Sequence, residues 1–127
     1  MRDEILRWID QADEELSVAK ISFDNKKYFA AAFWCQQSLE KFLKALYMFK
    51  NKKSPGTTHS LTYLGRETGV SAKYNVFLRN LSSEYFFSRY PDAIEDVPYK
   101  TYSEDEINDY LKNTKEIIKW IKSEMNL

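Results

Sequence analysis

Three glycines and three prolines in 127 residues leave little material for tight turns, and that scarcity excludes a β-sandwich or barrel built from many hairpins. The lone cysteine, Cys35, cannot close an intramolecular disulfide. It falls on an apolar helical face and reads as a buried, inert thiol, because no local pattern activates it. One histidine and one cysteine give no metal-ligand spacing, so neither a metal site nor a cofactor is expected. Nineteen basic residues balance nineteen acidic ones. The strong positive field of a non-specific DNA binder is therefore missing, although a local basic patch is compatible with the balance. No apolar run approaches the ~20 residues that span a bilayer. The N-terminal Met1-Arg2-Asp3-Glu4 enters an amphipathic helix without a signal-type apolar stretch, and the expectation is a cytoplasmic protein with no membrane contact. Gly-rich phosphate loops, nucleophile elbows and paired catalytic carboxylates are absent as well.

What is present is a strongly hydrophobic chain. Apolar residues reach 43 % and aromatics 16 %, enough to drive folding despite 30 % charged residues. The length suits one domain over residues 1–127 with one continuous core. Ile5, Ile9, Ala12, Leu16, Ala19 and Phe23 recur at four-three spacing, which predicts a helix from Asp3 to Phe23. A second helix is predicted from Tyr28 to Lys50. Its apolar residues cover so much of the circumference that it should sit centrally. Its remaining face carries Ala30, Trp34, Gln37, Lys41, Lys44 and Met48, and Glu40 with Lys44 forms an i, i+4 pair in the favourable order, worth about 0.3–0.5 kcal/mol where exposed.

Lys52, Lys53, Ser54, Pro55 and Gly56 break that helix into a basic loop. A short helix follows over Ser60 to Arg66, stopped by Gly69. Tyr74, Leu78, Leu81 and Tyr85 mark a fourth, which ends near Arg89 because Pro91 disfavours helical geometry at Tyr90. Pro91 to Tyr102 reads as an irregular connection. Ser103 and Glu106 form a capping box that opens a last helix through Ile107, Leu111, Thr114, Ile118, Ile121 and Met125. The expected architecture is an all-α, up-and-down helical bundle of four long helices and one short one.

The core of the second helix, Gln36-Gln37-x-x-Glu40-Lys41-x-x-Lys44-Ala45, resembles the HEPN family (higher eukaryote and prokaryote nucleotide-binding domains). Two further stretches agree with it in order and spacing: Thr58-His59-Ser60-Leu61-x-x-Leu64 and Ser88-Arg89-Tyr90-Pro91-Asp92. The resemblance covers essentially the whole chain and is to the small stand-alone prokaryotic members. It implies a helical bundle that forms homodimers and that pairs, in a toxin–antitoxin-like arrangement, with a minimal nucleotidyltransferase. Many relatives are metal-independent ribonucleases carrying an Arg-x(4–6)-His motif. This chain departs from that motif. Upstream of His59 the corresponding positions hold Ser54, Lys53 and Lys52, and downstream of Arg89 they hold Ile94, Glu95 and Asp96. Cleavage of RNA needs a proton-exchanging group and a cation for the phosphate, and neither local stretch supplies both.

The candidate residues each carry two readings. Gln36 lies inside the apolar stripe and, with Glu40, is expected to be a paired polar group of the core or of an interface. Gln37, Lys41 and Lys44 are expected to serve the structure or a dimer interface, with phosphate or ligand contact as the alternative. His59 is expected at a helix start, satisfying backbone groups, with proton transfer as the alternative. Arg89 either binds carbonyls at a helix C-terminus or pairs with Asp92; alternatively it forks a phosphate while Tyr90 stacks on a base. Lys50, Lys52 and Lys53 are expected to be a solvated lysine run, with an extension of that surface as the alternative. Trp34 and Tyr85 are the expected dimer contacts. The leading reading is a non-catalytic homodimeric binding module with weak nucleotide or RNA affinity. The alternative is a ribonuclease with an atypical site built from His59 and Arg89.

Overall fold

The computed structural model describes residues 2–127; Met1, the first residue of the expected domain, lies outside the described residues. Among the described residues six α-helices account for the fold: α1 (Arg2–Asp24), α2 (Tyr28–Asn51), α3 (Leu61–Thr68), α4 (Asn75–Phe87), α5 (Pro91–Ile94) and α6 (Glu104–Glu124). Among the described residues there is no strand. The four-three stripe of α1 buries Ile5, Ile9, Ala12, Leu16 and Ala19. Lys26, at φ +60°, closes the helix in a left-handed turn: its N–H donates to the carbonyl of Phe23 and that of Lys27 to Ser22, at 2.9 and 2.8 Å. That tight reversal lays α2 antiparallel against α1.

α2 is the axis of the molecule. Ala31, Cys35, Leu39, Phe42, Leu43 and Leu46 are fully enclosed, and α1, α3, α4 and α6 all pack on it. Burying a side chain such as Leu or Phe contributes about 1.5–3 kcal/mol, so this helix anchors the core. Ser60 caps α3 by accepting from the N–H of Tyr63, and Gly69 ends it at φ +90°. Gly65 lets α3 and α4 approach closely, because a Cβ there would lie 2.7 Å from Leu78 Cδ1. Ser103 caps α6, its Oγ accepting from the N–H of Glu106 at 3.2 Å.

Three details differ from the expectations. α4 begins after a 3-10 turn at Ala72–Tyr74 and stops at Phe87. The connection before α6 contains α5, with Pro91 at its first position, and a 3-10 turn at Pro98–Lys100. Lys44 and Met48, expected on the face of α2 away from its apolar stripes, are only 5 % and 2 % exposed. The reason is packing: α1 lies along that face, and Lys44 Nζ sits 5.9 Å from the Trp8 ring centroid. The Glu40–Lys44 pair is accordingly a buried ion pair of 3.1 Å.

Candidate functional site

The polar residues of α2 join into one network. Gln36 is fully buried, and its Nε2 donates to Glu40 Oε1 at 3.1 Å and to the carbonyl of His59 at 3.3 Å. Its Oε1 accepts from Gln37 Nε2 at 2.7 Å. Lys41 Nζ donates to Gln37 Oε1 at 3.3 Å and pairs with Glu15 of α1 at 3.0 Å. Gln11 completes the line by donating to Glu15 Oε2 at 2.8 Å. A buried amide and a buried carboxylate are costly unless partnered, and here each finds partners along the same row.

Glu40 is the node. One oxygen faces Lys44 Nζ, and the other accepts from Gln36 and meets His59 Nδ1 at 3.0 Å. A carboxylate only accepts, so the proton of a neutral His59 belongs on Nδ1, and Nε2 becomes the nitrogen open to a further partner. The His59 side chain is 47 % exposed. It is not the cap of α3, a role that Ser60 takes; its carbonyl rather than its ring is what meets Gln36 and Ser82.

His59 leads on to Arg89. The imidazole stacks on Tyr85, centroids 4.0 Å apart and planes 17° from parallel. The Arg89 guanidinium carbon lies 4.7 Å from the same Tyr85 ring, 4.4 Å from Phe33 and 5.0 Å from Tyr90. Its Nε and one Nη donate to the carbonyl of Tyr85 at 2.8 and 2.6 Å. That is the helix-end role expected for it, and it pins the guanidinium against an aromatic nest. Phe86 and Tyr90, 55 % and 45 % exposed, continue the nest outward.

Gln36, Gln37, Glu40, Lys41 and Lys44 thus share one network with His59, and Tyr85 joins it to Arg89 and Tyr90. Lys44 is enclosed within that network, whereas Gln37 and Lys41 are half-buried. The lysine loop stands apart: Lys50 is about 20 Å along α2 from Gln36, at about 1.5 Å per residue. Lys50 Nζ donates to the carbonyl of Thr68 and pairs with Glu124, while Lys52 lies over Phe49. Glu15, Gln11 and Phe33 are not legible as site residues in the sequence, and Tyr85 is legible only as a dimer contact. The one signal for Glu15 is its place beside the apolar stripe of α1, four residues after Gln11.

A second polar cluster is built around Glu84 of α4. Glu84 is buried and accepts hydrogen bonds from the hydroxyls of Tyr102 and Tyr110. Burial pushes its carboxyl above the ordinary range, against the opposing pull of those hydrogen bonds. The two phenols are pushed upward as well, by burial first and by Glu84 next. Among the described residues no group of three His, Cys, Asp or Glu side chains could hold a metal ion, and no helix is long and apolar enough to cross a membrane.

Two solved structures share this architecture. TT1696 from Thermus thermophilus superposes with a TM-score of 0.84 at 25 % identity, over 94 % of this chain and 97 % of that one. ST0689, described as an archaeal HEPN homologue, gives 0.78 at 30 % identity over 94 % and 95 %. No curated protein sequence matches. Residues 5–124 match the HEPN domain, and the chain belongs to the HEPN domain family.

Proposed function

We propose that this protein is a homodimeric HEPN binding module. Its His59–Tyr85–Arg89 face takes a phosphate-bearing nucleotide or single-stranded RNA, and it acts as the partner of a minimal nucleotidyltransferase. One observation carries the ligand reading: His59 and Arg89, far apart in sequence, lean on the same Tyr85 ring. A guanidinium beside exposed aromatic rings offers charge to a phosphate and a platform to a base. Gln37 and Lys41 lie further along the network and extend the polar rim. The nucleotidyltransferase comes from the family resemblance alone.

Dimerisation is supported by the apolar surface around the same cluster. Phe86, Phe87 and Tyr90 are well exposed, and half-buried Phe33, Trp34 and Tyr85 adjoin them. A self-complementary apolar patch suits a two-fold interface, with Trp34 and Tyr85 as contacts. Light scattering should give twice the 15.1 kDa of one chain; a single-chain mass at micromolar concentration sinks the dimer. Zero net charge gives little long-range steering, so binding is expected to be micromolar at low salt and weak at physiological salt. The test is a salt titration of binding to single-stranded RNA and to ATP, for wild type and Arg89→Ala. Tight, salt-independent binding, or binding indifferent to Arg89→Ala, is the result that removes the phosphate role.

A second reading is favoured by the Glu40–His59 contact. A carboxylate that fixes the imidazole tautomer and leaves Nε2 open is what a general base needs, and Arg89 is the nearby cation. On this reading the protein cleaves RNA without metal. Cleavage of a single-stranded RNA that persists in chelator and vanishes in His59→Ala would favour it over the binding module; intact RNA after prolonged incubation leaves the module.

A further inference from the structure

α1 and α6 both lie on α2 and meet each other over a shorter stretch, which leaves a groove along their outer seam. Two cavities of about 490 Å³ each lie on that seam, and Lys115 lines both. Four lysines of α6, at 112, 115, 119 and 122, fall within about 80° of arc at about 100° per residue. They span about 15 Å of helix, near three turns. Lys20 of α1 lines the groove from across the seam. The local acids are fewer: Asp24 is in the wall, and Asp13 is paired with Lys122 at 2.9 Å. A neutral protein thus concentrates positive charge along one seam.

Beneath the lysines the floor is aliphatic. Leu16, Leu111 and Ile118, each more than nine-tenths buried in the core, show their outer edges there, and Leu127, 50 % exposed, closes one end. Phe23 is the single aromatic ring in either cavity. Single-stranded nucleic acid asks for successive aromatic platforms with its cations, and this groove does not supply them. An aliphatic floor between lysine rims instead matches a helix with apolar residues on one face and carboxylates beside them.

We propose that the α1–α6 groove is the docking site for an acidic amphipathic helix of a partner protein, lying along Lys112 to Lys122. The groove shares no residue with the His59–Arg89 cluster, so the molecule has two working surfaces. Lysine positions at three- and four-residue intervals meet carboxylates on neighbouring turns of the incoming helix, and its Leu or Ile side chains take the floor.

The probe is a fluorescein-labelled synthetic amphipathic peptide of about six turns, with leucines at helical spacing flanked by glutamates. Its controls are a scrambled peptide of the same composition, a twin with lysine at every glutamate, and a short oligouridine. The acidic peptide should bind wild type better than the scrambled one by anisotropy. The Lys115→Glu/Lys119→Glu variant should lose about tenfold in its affinity and gain affinity for the lysine twin, which a misfolded variant would not do. The same variant should keep its oligouridine binding and its mass in light scattering. The proposal is overturned if the acidic and scrambled peptides bind alike or neither binds. It is equally overturned if charge reversal leaves the affinities unchanged. Oligouridine displacing the peptide would make the groove a nucleic-acid surface, and a variant that falls to single-chain mass would make it the self-association face.

Discussion

His59 and Tyr85 stack ring on ring at 4.0 Å and 17°, and through that stack the polar row of α2 meets the Arg89 nest. Aromatic pairs of this kind contribute about 0.5–1.5 kcal/mol beyond area burial. Tyr85→Phe keeps the ring and should leave RNA and ATP binding unchanged. Tyr85→Ala removes the support of His59 and one wall under Arg89, and should weaken both affinities about tenfold while costing about 1–2 kcal/mol of stability. Anisotropy and urea denaturation on the two variants check this. An alanine variant that binds like wild type would disconnect Tyr85 from the site.

Glu40 and Lys44 form a buried pair with side chains about equally enclosed. Removing one partner of such a pair strands the other charge and costs about 3–5 kcal/mol, whereas replacing both with apolar groups is often near neutral. Glu40→Leu alone, and Lys44→Met alone, should therefore be strongly destabilising. Glu40→Leu with Lys44→Met should recover much of the loss, though not all, because Gln36 and His59 also lose their acceptor. Urea midpoints for the two singles and the double settle it. Strictly additive losses would mean that the pair is not coupled.

The regular elements are the legible part of this chain. The Ser103 cap, which accepts from the N–H of Glu106, and the four-three run to Met125 place α6 correctly because caps and stripes are local properties. α5 escapes because a single turn has no hydrophobic period to read. Periodicity also names the polar face of α2 without revealing that Trp8 and the rest of α1 cover part of it, so the enclosure of Lys44 comes from packing between helices and not from its spacing. The His59–Tyr85 stack and the Glu15–Lys41 pair join separate elements. Only tertiary packing brings such partners together, and no spacing within one helix encodes it.

Glu84 predicts an acid-side dependence of stability. Its carboxyl is raised in the folded state by burial, so folding favours the protonated form. That contribution is complete below the ordinary glutamate range and is lost as pH rises through the raised folded value. Glu84→Gln carries no titrating proton and keeps an oxygen for one tyrosine hydroxyl. Across mildly acidic to neutral pH, wild type should lose more stability than Glu84→Gln, measured as urea midpoints in a pH series. Parallel curves would show that Glu84 titrates alike in both states.

Cys35 predicts a dependence at the alkaline end. Burial pushes its thiol from 9.0 up to about 12, outweighing the opposing pull of the Thr114 hydroxyl and of the charge of Lys115. The folded protein therefore keeps the proton that the unfolded chain releases above pH 9.0. Stability is intact below that value and is lost as pH rises from there toward about 12. Tyr74, Tyr102 and Tyr110 shift in the same sense from 10.0, so the thiol leads the loss in the interval between 9.0 and 10.0 and the phenols add to it toward the upper end. Cys35→Ala should flatten the stability curve in that interval, whatever the packing loss does to its height. At about pH 8, below the ordinary thiol range, the native thiol should react with a disulfide reagent only through opening of the bundle, at a rate that follows urea-induced unfolding. Rapid modification of the folded protein would mean that the thiol is neither enclosed nor held in its neutral form.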